Sequence, residues 1–186
     1  AEATATTNST ASGDDSTDLA DEDGVTVPAY LIQGIASSMT VNITNTTGSS
    51  AFLNVWIDFN GNGVLTDSGE QVATNTLIAT GTSNSNRTVS FTVPGTAKSG
   101  VTGVRVRLTS TSSPGSTGAS GNGEVEDDVV SILPPSDFGD YSGFDIAGSS
   151  TSTTIKMGAQ VDGEASNLAN ATATGDDASG VDDEDG

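Results

Sequence analysis

The sequence has no cysteine and no histidine in its 186 residues. Lack of cysteine excludes disulfide staples, thiolate metal sites and thiol nucleophiles, and lack of histidine removes the commonest general base. Basic residues are scarce, with five Lys and Arg against 25 Asp and Glu and a net charge of -20. Such a chain repels nucleic acid and anionic membrane surfaces, so its natural small partners are cations. Aromatic residues make up 4%, which leaves no evident stacking platform for a sugar or a base. No apolar run approaches the length of a membrane span. What is abundant is small and polar: more than a quarter of the residues are Ser or Thr, and 23 are Gly. A polar, acidic, lysine-poor and cysteine-free composition suits an exported bacterial protein, and equally a halophilic one.

The few core formers are unevenly placed. Val, Leu, Ile and Phe total 37, of which 29 fall in residues 25–133 and eight in the two flanks. Residues 25–133 are therefore expected to form one domain, with 1–24 as an acidic linker before it and 134–186 as an inter-repeat segment after it. Acids run the other way. Residues 1–24 hold seven and 124–186 hold fifteen, whereas 25–123 hold three: Asp58, Asp67 and Glu70. The ends also resemble each other. Residues 3–24 align without gaps to 165–186, so that Asp21, Glu22, Asp23 and Gly24 recur as Asp183, Glu184, Asp185 and Gly186. A fixed offset of this kind implies one period of a tandem array.

Period-two alternation predicts strands. Residues 25–32 read as a strand broken by Pro28. Met39, Val41 and Ile43 share a face, as do Leu53, Val55 and Ile57, with Phe52 and Trp56 opposite. Residues 70–78 give a weaker signal. Val89, Phe91 and Val93 alternate, Val104, Val106 and Leu108 alternate with Arg105 and Arg107, and residues 124–133 close the set. Gly, Asn and Ser clusters separate the runs, and no helical period stands out. Seven short strands predict an all-β fold, an Ig-like antiparallel β-sandwich with acidic, largely irregular flanks. Trp56 is expected to lie in the core.

Two patterns point to cations. Asp58, Asn60 and Asn62 occupy alternate positions and Gly63 follows, the first half of a calcium loop. Hard cations take oxygen ligands, and alternate residues of a tight loop point inward. Val64 offers its carbonyl, and Asp67 and Glu70 complete the candidate shell for calcium. The alternative is an Asx-rich turn without metal. The second pattern is Gly-Glu-Val-Glu-Asp at 123–127, where Glu124, Glu126 and Asp127 crowd one strand. It is expected to share cations with Asp21, Glu22 and Asp23, and with Asp183, Glu184 and Asp185, at domain junctions. The alternative for both segments is a solvated, charge-protected edge and linker.

The combination resembles the GEVED domains of large bacterial cell-surface and secreted proteins. The matching pieces are VWIDFNGNG with Gly69 and Glu70, FTVPGTAKSGVTGVRVRL, GEVED itself, then DFGD, MGAQVDGE and GDDASGVDDEDG. This resemblance implies an exported β-sandwich module in tandem arrays, of adhesive or structural role, and supplies no catalytic activity. The sequence departs from the family pattern at Asp128, where Tyr is frequent, at Asn62, where Asp is usual, and after DFGD.

The leading expectation is a structural module of a long extracellular fibre or adhesin, rigidified by calcium and partnered by neighbouring copies of itself. The alternative is an adhesin module that binds surface glycans or a host surface. An enzyme is not expected: a serine hydrolase needs a base, and there is neither a histidine nor a GxSxG motif. Glycosylation sequons occur at Asn8, Asn42, Asn45, Asn86 and Asn170.

Overall fold

The computed structural model describes residues 8, 11, 23–139, 141–145, 147–151, 154–161, 163–164 and 168–174. Among these residues ten strands run in order: β1 (Val25–Thr26), β2 (Tyr30–Ile32), β3 (Ala36–Asn45), β4 (Ala51–Ile57), β5 (Gln71–Ile78), β6 (Thr82–Thr92), β7 (Gly100–Thr109), β8 (Gly123–Leu133), β9 (Ser136–Phe138) and β10 (Gly148–Ser150). There is no helix among the described residues. A three-stranded sheet, β1-β3-β6, faces a five-stranded sheet, β2-β8-β7-β4-β5, and β9 and β10 form a small separate pair.

The alternation read from sequence sets the core. Met39, Val41 and Ile43 of β3 and Val89 of β6 meet Leu53, Val55 and Ile57 of β4, Val104 and Val106 of β7, and Val130 and Ile132 of β8. Leu53, Val55 and Ile57 are fully buried. At the expected break, Pro28 separates β1, which pairs with β3, from β2, which pairs with β8 in the other sheet. Proline donates no backbone hydrogen bond, so it fits the point where the chain leaves one ladder and crosses to the next.

Two features differ from the expectation. The β2–β8 pair is parallel, Leu31 opposite Ile132, whereas the other paired strands are antiparallel. After crossing at Pro28 the chain runs beside β8 in the same direction, which places the start and the end of the sandwich side by side. The segment after residue 133 is not wholly irregular, since β10 pairs with β9 and Glu164 bridges to Ser136.

Trp56 lies on the face of β4 opposite the core residues and is still only 3% exposed. The loop of residues 110–122 folds back beside it. Arg107 donates to the carbonyls of Gly115 at 2.9 Å and Gly118 at 2.9 Å, and Arg105 donates to that of Ser116 at 3.0 Å. The backbone amide of Ser113 donates to Asn75 Oδ1 at 2.6 Å. Trp56 then lines a groove with Gln71, Ser113 and Ser116 and offers no open stacking surface. The register of β4 against β5 shifts near Val55. Asn54 Oδ1 answers that bulge by accepting from the amide of Asn75 at 2.9 Å.

Gly123 opens β8 opposite Thr109. A Cβ there would stand 1.9 Å from the carbonyl oxygen of Leu108 and 2.8 Å from Thr109 Cα. Backbone atoms of β7 cannot yield as a flexible side chain can. Gly123→Ala is expected to cost on the order of 3 kcal/mol, measured by urea denaturation. Gly139→Ala, with nothing within 4 Å of its Cβ, is the control and should change stability little.

Candidate functional site

The loop after β4 is built by its own Asx side chains. Asp58 is 8% exposed and accepts from the amides of Asn62 at 3.1 Å and Gly63 at 2.8 Å. Asn60 Oδ1 accepts from Asn62 N at 3.0 Å, and Asn62 Oδ1 accepts from Val64 N at 2.7 Å. Their side-chain amides donate to Asp67 Oδ2 at 2.7 and 2.8 Å. Gly61 and Gly63 have φ of 64° and 80°, the left-handed region that the tight coil needs and that glycine tolerates. The carbonyl of Asp58 is held by the Thr102 hydroxyl on β7. Sequence spacing therefore anticipated which residues meet here: Asp58, Asn60, Asn62, Asp67 and Glu70 gather at one end of the five-stranded sheet.

Glu70 is the anomaly of this loop. It is 2% exposed, and its Oε1 accepts from Asn60 N at 3.4 Å. Its Oε2 is buried without a hydrogen-bond partner. Burial pushes the Glu70 carboxyl above its ordinary range, and the negative charges of Asp58 and Asp67 push the same way against the backbone amides of Asn60 and Asp67. Among the described residues no three acidic side chains converge tightly enough to hold a metal alone. A cation here would take carboxylate oxygens from Asp58, Asp67 and Glu70, and neutral oxygens from Asn60, Asn62 and the Val64 carbonyl. In the structure the asparagine oxygens cap turn amides, so the loop is already closed as an Asx turn while one buried carboxylate oxygen stays unanswered.

The second cluster sits on β8. Side chains alternate across a strand, so Glu126 points inward and Asp127 outward. Asp127 makes a bidentate pair with Arg105, at 2.7 Å to Nε and 2.5 Å to Nη2. That pairing separates Asp127 from the carboxylates it was expected to join, and the period of two along the strand is the reason. Glu126 is 8% exposed and reaches the opposite sheet. It accepts hydrogen bonds from the backbone amides of Val25 and Gly24, where the chain enters β1. Its Oε2, like that of Glu70, is buried and unpartnered. A Cβ on Gly24 would lie 2.5 Å from Glu126 Oε1, so the glycine of the DEDG segment makes room for this carboxylate.

Burial pushes Glu126 up to about 7, helped by the charges of Glu124 and Asp23 and opposed by the two amides. Asp23 and Glu124 thus lie near enough for their charges to act on Glu126. Asp21, Glu22, Asp183, Glu184 and Asp185 lie outside the described residues.

Four letters of the pentapeptide now have a physical place. Gly123 clears β7, Val125 stands on the outer face, Glu126 ties the two sheets and Asp127 holds Arg105. Residues 52–130 match the family model described as the GEVED domain. The chain carries a GEVED domain. No curated protein matches the chain. The match spans β4 to β8, and so includes both the Asx loop and the strand that reaches Gly24.

Two contacts of this GEVED domain escaped the sequence. The pairing of Gly24 with Glu126 joins residues a hundred positions apart, and its only trace was the glycine that ends DEDG in both copies. The Arg105–Asp127 pair had a trace in the alternation of the two arginines on β7. Among the sequons, Asn45 is corrected. Its side chain is 2% exposed and its amide donates to the carbonyls of Ser49 at 2.9 Å and Ile78 at 3.0 Å, so it cannot accept a glycan in the folded domain. Asn8, Asn42 and Asn86 are exposed, Asn42 donating to Asn86 Oδ1 at 2.8 Å. Asn170 is half-buried, its Oδ1 accepting from Thr172 N at 2.8 Å.

The sign of the pH effect follows from the raised value. Between the ordinary 4.5 and about 7, folded Glu126 keeps a proton that the unfolded chain has lost. Stability therefore falls as pH rises through that window, by on the order of 3 kcal/mol for this group. Glu126→Gln removes the charge and keeps the shape. In chelator, the variant is expected to flatten the profile and to melt above the wild type at pH 8. Parallel profiles for the two proteins would contradict the assignment.

Proposed function

We propose that this GEVED domain is a structural module of a long extracellular protein, joined in series through its acidic flanks and rigidified by calcium. The observation that carries the reading is Glu70: a carboxylate 2% exposed, with one oxygen unpartnered, beside Asp58 and Asp67. Burying negative charge without an answering positive group is costly. A hard cation drawn from an extracellular medium answers it, and the donors present are oxygens throughout. Asp58, Asp67 and Glu70 supply the charge; Asn60, Asn62 and Val64 supply neutral oxygens. Glu126, with Glu124 and Asp23 near it, presents the same deficit at the joint with the preceding linker.

Supporting the structural reading over glycan binding is the position of Trp56. The only tryptophan is 3% exposed, so the groove it lines lacks an aromatic face for a sugar ring. The chain has neither cysteine nor histidine, and a cysteine-free module in an oxidising medium has calcium as its available staple.

Thermal melts test the proposal. Calcium loops of extracellular modules have dissociation constants of about 0.1–1 mM, so ~10 mM calcium is expected to add about 1.4–2.7 kcal/mol per site. Identical midpoints in calcium and in chelator would sink the reading. Glu70→Gln gives a crossover: it should melt above the wild type in chelator, where the buried charge is gone, and below it in calcium, where a ligand is gone. Asp58→Ala should lose most of the calcium response. Asn62→Asp should enlarge it, since the carboxylate still caps Val64 and adds a negative ligand; calorimetry showing unchanged affinity would exclude residue 62 from the shell.

A further inference from the structure

Three asparagines in the chain are followed by glycine: Asn60, Asn62 and Asn122. At such a pair the amide nitrogen of the glycine can attack the side-chain carbonyl carbon of the asparagine, because no Cβ on the attacking residue crowds the approach. Ring closure at that carbon has three needs. A base must take the proton of the attacking nitrogen, a donor must hold the charge that develops on the oxygen, and water must open the ring afterwards. The loop after β4 meets these needs unequally at its two asparagines.

At Asn62 all three are present. The attacking nitrogen is that of Gly63, which donates to the Asp58 carboxylate, at 2.8 Å from Oδ2. The side-chain oxygen of Asn62 accepts from Val64 N at 2.7 Å, so charge forming there has an amide already aimed at it. Its Nδ2 donates to Asp67 Oδ2 at 2.8 Å, which holds the side chain in place. Asn62 and Gly63 are both exposed, so water reaches them. Asn60 has the donor and lacks the base. Its oxygen accepts from Asn62 N at 3.0 Å, but the amide that follows it, Gly61 N, donates to the main-chain carbonyl of Asp58 at 3.3 Å. A neutral carbonyl is a far poorer base than a carboxylate. At Asn122 the following glycine belongs to β8, paired with Thr109 and packed on the Leu108 carbonyl, so its nitrogen is fixed in the ladder.

We propose that Asn62 is a self-modifying site, at which the loop converts an asparagine into a carboxylate without an enzyme. In the first step the bond from Gly63 N to Asn62 Cγ forms as Asp58 takes the proton of that nitrogen. The Cγ–Nδ2 bond then breaks, Asp58 returns the proton to the departing nitrogen, and ammonia leaves behind a succinimide ring. Water adds to one of the ring carbonyls and reopens it. Opening at Cγ gives aspartate at position 62, and opening at the main-chain carbon gives its isomer, with the backbone routed through the side chain. One water enters, one ammonia leaves, and nothing is oxidised or reduced. Either product adds a negative charge beside Asp58 and Asp67. The modification does not depend on the calcium reading above; on that reading the aspartate form binds the ion more tightly, so the affinity of the loop rises as the protein ages.

Fragment mass spectrometry of the 186-residue chain, incubated warm at mildly alkaline pH, tests this. Chelator is present throughout, so the outcome is independent of calcium, which the melts decide. Residue 62 should gain about 1 Da, the exchange of NH2 for OH, and should do so roughly tenfold faster than residues 60 and 122. In water enriched in the heavy oxygen isotope the gain should be about 3 Da, which dates the reaction to the incubation. In concentrated urea the loop geometry is gone, and the three pairs should react at similar rates. Asp58→Asn removes the base and keeps the shape, and should slow residue 62 to the pace of residue 60. An Asn62 that stays intact, equal rates at the three pairs in the folded chain, or a rate at residue 62 that Asp58→Asn leaves unchanged would overturn the proposal.

Discussion

A carboxylate buried between two β-sheets must be answered by something, and in this domain Glu126 sets that requirement. Its side chain leaves β8, crosses the open end of the sandwich and takes the amides of Gly24 and Val25. Those two bonds fix where the chain enters β1. They also use a donor pair that a two-residue strand would otherwise present to water. The rest of the architecture is arranged around this crossing. β1 occupies a place beside β3, Pro28 sends the chain to the opposite sheet, and β2 lies parallel to the same β8 that carries Glu126. Start and end of the domain are held together by one strand. A disulfide commonly does this in small exported domains; here a hydrogen-bonded carboxylate does it, and its remaining oxygen is buried without a partner.

Charges elsewhere are settled locally. Asp127 neutralises Arg105 across neighbouring strands at 2.5 Å. Arg107, 3% exposed, spends its guanidinium nitrogens on carbonyls of the 110–122 loop, though its Nε is left without a partner. These loop carbonyls belong to a Gly- and Ser-rich stretch with few apolar side chains to anchor it, so guanidinium bonds take the place of packing. Asn54 and Asn75 perform the same service on the other side, each satisfying backbone amides at positions where the ladder is broken. Asn75 and Ser113 both hold positive φ and bond to each other. Such backbone persists only where its surroundings over-determine it.

Much of this was legible in the sequence, and the reason differs from element to element. Alternating Met39, Val41 and Ile43, or Leu53, Val55 and Ile57, fixes which face is buried because a strand has a side-chain period of two. The Asx loop was legible because its chemistry is local: Asp58 to Glu70 spans thirteen residues, and each hydrogen bond within it joins near neighbours. Long-range pairing was not legible in this way. Nothing in YLI announces a parallel strand, because three residues carry no pattern that distinguishes the direction of their partner. Trp56 is buried as expected, but under the 110–122 loop and not between the sheets, because its parity on β4 puts it on the face opposite Leu53. Here the period of the strand outranked the hydrophobicity of one residue, and the 110–122 loop supplied the cover. Asp127 was misgrouped for the same reason, by counting nearness in sequence ahead of parity.

The distribution of charge ties the levels together. Acids are kept out of strands β1 to β7, apart from the loop before β5, so the sandwich can form without internal repulsion. They are concentrated in the last strand and the segments that flank the sandwich, and there the repulsion opposes any close approach of flank and domain. Glu126 is the point at which that repulsion is turned inward: Asp23 and Glu124 raise its proton affinity from outside while Gly24 and Val25 hold it in place. A junction of this kind has two states with different charge, one in which the carboxylate is neutralised and docked, and one in which the ionised group weakens its own contact. The interior of the sandwich, built from neutral alternating strands, need not change for that to happen.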